Sequence, residues 1–82
     1  MKNDKEMERF CKNIRSLRKF HKLNQKQMAE KLHIGIWSLK KIEKGQIPPQ
    51  LRIDVLLYIY EHFHYTPEQI VTIDVLQDMQ NH

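Results

Sequence analysis

Apolar residues recur at helical spacing along most of the chain, and this pattern predicts an all-α fold of five helices. The first helix is predicted over about 3–19, where Phe10, Ile14 and Leu17 form a single apolar stripe. Its basic residues fall outside that stripe. No glycine follows this helix, so we expect a residue of another type to adopt positive φ at its exit.

Two shorter helices are predicted next, with a tight turn between them. Asn24 is a favourable N-cap for the first, and Gln27 stands three residues on, where a capping box needs Glu or Gln. This helix should end near residue 32. The other helix begins after Gly35 and ends near Gly45, a residue type that commonly follows the last helical turn.

The second half of the chain is predicted to hold the remaining helices. A stretch over about 50–63 is apolar around much of its circumference, so we expect it to be the central and most buried helix. Thr66 is a strong N-cap signal for the fifth helix, because Pro follows it at the first helical position and Gln at the third. The β-branched run after it is poor helix material. Asp74 therefore either begins a short last helix that reaches about residue 80 or lies in a short strand over 70–76.

The length of 82 residues is enough for one small domain with a modest core. We place that core at about 10–72, with an N-terminal extension over 1–9 and a C-terminal segment over 70–80. Cys11 is the one cysteine, which excludes an intrachain disulfide and favours a cytoplasmic location; we expect it to be a packing residue. No apolar run approaches the roughly 18–20 residues of a membrane span, and the charged N-terminus is not a secretory signal.

Residues with potential chemistry do not form a catalytic or metal-binding pattern. His62 and His64 are two positions apart, which places them on different sides of a helix, and His21 and His33 are isolated. The sequence contains neither a glycine-rich phosphate loop nor a nucleophile motif. We therefore expect no enzymatic activity, no metal and no cofactor.

Positive charge is concentrated in the first half of the chain. Residues 1–45 hold 13 Lys or Arg and 5 Asp or Glu, a net charge of +8, whereas residues 46–82 hold 1 and 5, a net charge of −4. Because a basic surface releases counterions from a polyanion when it binds, the first half is a candidate nucleic-acid-binding surface. Solvated helix faces are the simpler explanation of the same residues.

The second and third predicted helices have the lengths and the tight turn of a helix-turn-helix. Ala29 is small enough for the point where the two helices approach most closely. The third helix would then present its outer face to a DNA major groove, with the N-terminus of the second helix aimed at a phosphate. The residues predicted to hold the pair together are Met28, Ala29, Leu32, Ile34, Leu39 and Ile42.

Four segments carry motifs that agree with one known family: Ile14-x-x-Leu17-Arg18, the run 23–32, the run 39–45 and Pro49. Together they closely resemble the Cro/C1-type (XRE-like) helix-turn-helix repressors of phages and bacteria, over about 10–72. The resemblance implies a lambda-repressor-like fold with the helix-turn-helix at about 24–44. It also implies a cytoplasmic regulator of transcription, usually a repressor, that binds double-stranded operator DNA as a homodimer.

The resemblance assigns roles to individual positions. Arg18 and Glu43 match a partly buried ion pair that ties the first helix to the third in the phage repressors. The start of the second helix and the segment after the third helix would contact phosphates, and the outer positions of the third helix would read base edges. The DNA-binding residues implied in this way are Asn24, Gln25, Lys26, Gly35, Ile36, Trp37, Ser38, Lys40, Lys41, Lys44 and Gln46.

Two positions of the third helix depart from the family pattern. Ile36 and Trp37 stand where Gln, Arg or Ser is usual, and neither offers a bidentate donor–acceptor pair. In one interpretation they pack against thymine methyl groups while Lys40 and Lys41 bind guanine or phosphate. In a second, they form the docking patch of a protein-binding adaptor or antitoxin-like module. In a third, Trp37 folds back onto the second helix and belongs to the core.

An apolar row near the C-terminus is the predicted dimerisation surface: Ile70, Ile73, Leu76 and Met79. A symmetric dimer would place two third helices about 34 Å apart, in successive major grooves on one side of the duplex. The alternative is that this row packs back onto the first helix. We expect no small-molecule ligand and no membrane partner.

Overall fold

Six helices make up the regular structure of residues 4–81, the part of the chain that the computed structural model describes. The all-α prediction is confirmed, and the alternative of a strand over 70–76 is wrong, because that segment holds parts of two short helices. The other alternative, a short last helix begun by Asp74, is confirmed: Asp74 caps it by accepting a hydrogen bond from Gln77 N–H, and with it the helices number six rather than five. The helices are α1 (Asp4–Phe20), α2 (Gln25–Leu32), α3 (Ile36–Glu43), α4 (Val55–Phe63), α5 (Pro67–Thr72) and α6 (Val75–Gln80).

The central helix is α1, and the prediction of a central fourth helix is wrong. One side of α1 is buried through Phe10, Cys11, Ile14 and Leu17, and it packs against α3, α5 and α6. Most of the predicted N-terminal extension belongs to this helix, while residues 1–3 and 82 lie outside the described residues. Because α1 supplies the common packing surface, it fixes where the other helices point.

The helix predicted over 50–63 begins only at Val55. Two turns precede it, the first of which closes through a hydrogen bond from Leu51 N–H to the carbonyl oxygen of Pro48 (3.1 Å). Only Val55 and Ile59 of α4 are buried. Several apolar side chains on its outer side face solvent instead, among them Leu57, which is 65% exposed.

Local capping signals in the sequence are confirmed. Asn24 and Thr66 each form a reciprocal capping box with the Gln three residues on. Lys22 takes positive φ (59°) at the exit of α1, and Gly45 does so (φ 90°) after α3. These short-range features end α1 and α3 and start α2 and α5, so the lengths of the connecting turns follow from them.

Asn13 on α1 is a buried polar residue that joins the two ends of the chain. Its Nδ2 donates hydrogen bonds to the carbonyl oxygens of Ile70 (2.7 Å) and Ile73 (2.8 Å). Its Oδ1 accepts a hydrogen bond from Val75 N–H (3.2 Å). Backbone groups at the junction of α5 and α6 lack intrahelical partners, so this one side chain satisfies three of them.

Replacing Asn13 with alanine is expected to lower the free energy of unfolding by about 2–4 kcal/mol, since buried carbonyl and N–H groups lose their partners. Urea denaturation followed by circular dichroism measures this change. Asn81→Ala, at an exposed position, is the control and should stay within about 0.5 kcal/mol of the wild type. A loss that small for Asn13→Ala would show that the junction does not depend on the side chain.

Tyr65 donates a hydrogen bond from its hydroxyl to Asp78 Oδ2 (2.6 Å). Burial, together with the hydrogen bond to Asp78 and its negative charge, raises the pKa of Tyr65 from 10.0 to about 12. Because the folded state favours the protonated phenol, this stabilisation is complete below pH 10 and is lost as the pH rises to about 12.

The Tyr65→Phe variant should therefore show a weaker decline of the unfolding free energy than the wild type across that alkaline range. Urea titrations at several pH values measure the decline. Tyr60→Phe, which alters a half-exposed tyrosine, should follow the wild type. Equal slopes for Tyr65→Phe and the wild type would contradict the role given to this hydroxyl.

Candidate nucleic-acid interface

The helices α2 and α3 form a helix-turn-helix around a short turn. Ala29 is buried between them, and its carbonyl oxygen accepts a hydrogen bond from Ile34 N–H (3.0 Å). His33 caps α2 in the left-handed conformation, and its ring stacks on Tyr58 of α4 with the centroids 3.9 Å apart. Leu39 on the inner side of α3 is fully buried. These contacts fix the position of α3 and leave its opposite side uncovered.

The uncovered side of α3 carries an aromatic ring and two lysines. Trp37 is 74% exposed, so the interpretation that places it in the core is wrong. The Nζ of Lys40 lies 5.1 Å from the centre of the indole ring, which is within the range of a cation–π contact. Ile36 and Lys41 are exposed, and Ser38 is half-buried. The face therefore combines apolar and cationic groups.

Arg18 and Glu43 form the ion pair expected between α1 and α3. The Nε of Arg18 lies 2.6 Å from Glu43 Oε2, and its Nη2 donates to Glu43 Oε1 at 2.9 Å. Only 6% of the Glu43 side chain is exposed. Gln25, the first residue of α2, also donates from Nε2 to Glu43 Oε1 (3.2 Å). One carboxylate thus links the ends of three helices.

A polar cleft of about 400 Å³ lies where these three helices meet. Its cations come from α1 and from the end of α3, and Glu43 is its one acidic residue, held by Arg18. A cleft of this composition can accept an anion the size of a phosphate group. The lining residues are Arg15, Arg18, Lys19, Gln25, Lys40, Glu43 and Lys44.

Arg15 and Lys19 were missed as site residues in the sequence. They stand four positions apart on α1, outside the apolar stripe, and this spacing places both on one side of the helix. The signal that could have found them is their position on either side of Arg18, whose ion pair with Glu43 brings this part of α1 to the end of α3.

The segment after α3 requires a correction. The resemblance implies that this segment contacts phosphates, but its backbone amides are not free to do so. The N–H of Gln46 donates to the carbonyl oxygen of Lys41 (2.9 Å), and that of Gly45 donates to the carbonyl oxygen of Ile42 (2.9 Å). Both amides are used in ending the helix. The exposed side chains of Lys44 and Gln46 are the groups of this segment that can reach a ligand.

The start of α2 is also partly engaged within the chain. Asn24 Oδ1 accepts a hydrogen bond from Gln27 N–H (2.7 Å), so this oxygen acts as a cap. Lys26 is exposed, and it is not among the residues that line the cleft. Gly35 is the N-cap residue of α3 and has no side chain that could accept a hydrogen bond. The first backbone N–H groups of α3, which include those of Ile36 and Trp37, are therefore not capped by a side chain.

Comparison with known proteins gives a result for most of the chain. The profile of a helix-turn-helix domain family matches residues 11–73, which is more than half of the 82 residues. The chain belongs to this helix-turn-helix domain family. No curated protein and no solved structure matches it. Membership indicates a DNA-binding regulator, and families of this kind are typically non-enzymatic.

Cys11 is a packing residue of this helix-turn-helix protein. Burial raises the pKa of its thiol, and the side chain lies in the core as expected.

Within residues 4–81, no group of three or more His, Cys, Asp or Glu side chains is arranged to hold a metal ion. Over the same range, no helix has both the length and the apolar character needed to cross a membrane.

The apolar row near the C-terminus is largely used within the helix-turn-helix protein itself. Ile70 is fully buried, and Ile73 and Met79 are half-buried against the core. Leu76 is the one member classed as exposed. Most of the row therefore packs onto the same chain, as in the alternative drawn from the sequence.

Proposed function

We propose that this protein is a sequence-specific regulator of transcription of the Cro/C1 type, that it acts as a repressor in the cytoplasm, and that α3 reads the major groove of duplex DNA. The observation that carries the proposal is the composition of the uncovered face of α3. Trp37 and Lys40 lie in contact there, Lys40 also lines the basic cleft, and Lys41 is exposed.

Phosphate binding follows from the cleft. A helix of about 10–12 Å diameter fits a major groove about 12 Å wide, and a helix in the groove is flanked by the phosphates on both sides. In this arrangement Arg15, Lys19 and Lys44 pair with backbone phosphates, while Gln25 contributes an amide donor. These contacts set the position of α3 without reading sequence.

Base reading is assigned to the first two turns of α3. Ile36 and Trp37 supply apolar contact with thymine methyl groups, and Lys40 or Lys41 donates to the O6 and N7 of guanine. Ser38, on the same helix, is half-buried and offers a hydroxyl. The apolar residues come first along α3 and the lysines follow. This order predicts half-sites with A·T pairs at one end and G·C pairs at the other.

Selection of bound sites from random duplex DNA, followed by footprinting, tests the proposal. We expect a short recurring sequence, protected in the major groove, with two half-sites separated by about one helical turn. A chain with Ile36, Trp37, Lys40 and Lys41 all changed to alanine is the control and should select nothing. Recovery of no common sequence by the wild type would contradict sequence-specific binding.

Trp37→Ala is expected to weaken binding to the selected duplex by about 1–3 kcal/mol, because the largest apolar contact with the bases is lost. The side chain is exposed, so the unfolding midpoint should not change. Fluorescence anisotropy of labelled DNA measures the affinity over a range of salt concentrations. The salt dependence should stay as in the wild type, and an unchanged affinity would contradict the contact.

A second candidate function is a protein-binding adaptor or antitoxin-like module that docks a partner on Ile36 and Trp37. The large exposed area of Trp37 favours it, because exposed apolar patches mark docking sites. Salt dependence distinguishes the two functions. DNA binding should weaken by orders of magnitude between low and moderate salt, whereas docking on an apolar patch should respond little.

A further inference from the structure

A row of exposed apolar side chains follows the outer side of α4. Ile53, Leu57 and Tyr60 stand four and three positions apart, and they are 83%, 65% and 51% exposed. The N–H of Leu57 donates to the carbonyl oxygen of Asp54 (3.0 Å), so the turn that holds Ile53 leads directly into the helix. The spacing places the three side chains along one side of two consecutive turns, over roughly 10 Å. We call these three residues the α4 row.

A groove of about 410 Å³ continues the α4 row toward the start of α1. Ile53 belongs to both the row and the groove, while Met7 lines the groove from α1 and Val71 lines it from α5. Phe10, which is buried, also lines it. Among its lining residues in the described chain, Arg52 is the one with a charge. The row and the groove together form a concave apolar surface, which is the kind of surface that binds the apolar side of a helix.

The shape of this surface favours an elongated occupant. A small ligand would fill the groove and leave Leu57 and Tyr60 in solvent, whereas a helix laid along the α4 row covers both and reaches the groove at Ile53. A partner helix whose apolar side chains recur every three or four residues matches the spacing of the row. None of the residues that line the groove belongs to the basic cleft, so the two surfaces are separate.

The charges beside the α4 row are mainly negative. Asp54 precedes α4, and Glu61, which is exposed, follows Tyr60. Arg52 is the one Lys or Arg among residues 46–82, and its Nε lies 3.3 Å from Asp54 Oδ2, so its charge is already paired within the chain. Within residues 4–81, no Lys or Arg lies at ion-pair distance from Glu61. A basic side chain on the flank of a partner would therefore be attracted to this edge of the row.

The same charges exclude DNA and disfavour a second copy of the chain as the occupant. A polyanion is not attracted to a segment whose net charge is −4. In a two-fold contact each copy presents the same residues to the other, so Glu61 would approach a surface of its own sign. A partner that carries Lys or Arg beside an apolar stripe meets neither obstacle.

We propose that the α4 row and its groove bind an amphipathic helix of another protein, apolar on the side that faces Ile53 and Leu57 and basic on the flank that faces Glu61. The proposal goes beyond the proposed function and does not depend on it, because DNA binding uses α3 and the basic cleft. A partner bound in this way leaves α3 uncovered and can join the protein while it holds DNA.

Two labelled peptides of equal composition test the surface. Each contains leucine and lysine over about 18 residues, which is five turns of helix. In one peptide the leucines lie along a single side of the helix, and in the other their order is scrambled. We expect fluorescence anisotropy to show that the wild type binds the amphipathic peptide and binds the scrambled one at least about tenfold more weakly. Equal affinities, or no binding of the amphipathic peptide, would overturn the proposal.

Leu57→Ser locates the binding on the α4 row. It should raise the dissociation constant of the amphipathic peptide about tenfold, because the central apolar contact is lost and no charge is added. Leu76→Ser changes an exposed leucine of α6 and is the matched control, which should bind as the wild type does. Circular dichroism checks that both variants are folded. An unchanged affinity for Leu57→Ser, or an equal loss for the two variants, would place the peptide elsewhere and overturn the proposal.

Glu61→Lys tests the charge of the partner. We expect it to raise the dissociation constant of the amphipathic peptide about three- to tenfold, because an attraction becomes a repulsion. Glu68→Lys, at an exposed position in the first turn of α5, changes the net charge by the same amount and should have a smaller effect. Equal effects would show that only the net charge of the protein matters and would contradict a basic flank beside Glu61.

Two further measurements separate the possible outcomes. Leu57→Ser should bind the selected duplex as the wild type does, and Trp37→Ala should bind the peptide as the wild type does. A wild type that binds the peptide through Leu57 but selects no DNA would contradict the proposed function alone. Peptide binding lost in Trp37→Ala and kept in Leu57→Ser would overturn the docking proposal. Sedimentation equilibrium of the protein alone tests the remaining occupant, since a dimer that Leu57→Ser dissociates would show that a second copy covers the α4 row.

Discussion

Lys40→Ala combined with Lys41→Ala is expected to weaken binding to the selected duplex by about 1–3 kcal/mol, or roughly 5- to 150-fold, if one of the two reads a base. Both lysines lie on α3, and Lys40 also lines the basic cleft. The dependence of log K on log salt should become less steep by about 0.9 for each phosphate contact removed. Anisotropy titrations at four or five salt concentrations measure both quantities.

Lys5→Ala combined with Lys12→Ala is the matched control for charge. These two exposed lysines lie in the first half of α1 and line a different cleft. The control removes the same net charge, so it should lower affinity slightly through the long-range field without changing sequence preference. Equal losses for both pairs would show that α3 contributes only general positive charge, and the assignment of α3 as the reading helix would be wrong.

Glu43→Ala is expected to lower the free energy of unfolding by about 3–5 kcal/mol, which is a large part of the stability of a domain this small. The side chain of Glu43 is almost fully buried and accepts hydrogen bonds from Arg18 and Gln25. Its removal leaves the guanidinium of Arg18 without its carboxylate. Urea denaturation measures the loss.

Two further variants make the Glu43 result specific. Arg18→Met with Glu43→Leu should recover much of the stability, because an apolar pair of similar volume avoids the cost of an unpaired charge. Arg9→Met breaks the more exposed pair of Arg9 with Asp74 (3.9 Å) and should cost less than about 1 kcal/mol. A similar small cost for Glu43→Ala would contradict the view that this pair holds α3 in place.

Local signals explain why much of the fold could be predicted from the sequence. The capping boxes at Asn24 and Thr66 and the glycine at position 45 act within a few residues, so the turns around the helix-turn-helix follow from short-range chemistry. The apolar spacing of α1 to α3 then assigns their inner sides. Because the apolar spacing predicts which side of α3 faces the core, the opposite side is predicted to face solvent, and Trp37 is exposed there.

Features that depend on distant parts of the chain could not be predicted in the same way. Asn13 binds carbonyl groups at positions 70 and 73, and nothing near it in the sequence indicates partners so far away. The sequence predicts too early a start for α4 because Leu51 continues the apolar pattern of the helix into the turns that precede Val55. An exposed apolar residue such as Ile53 occupies the same kind of position in the sequence pattern as a buried one, so its exposure could not be predicted without the structure.

The fluorescence of Trp37 tests the central claim most directly, because it is the one tryptophan of the chain and lies on the outer face of α3. Acrylamide quenching is measured with free protein and with protein saturated with the selected duplex. We predict strong quenching without DNA, since the ring is exposed, and marked protection with DNA, since α3 then lies in the groove. Saturation of the duplex with no change in the quenching of Trp37 would contradict the account.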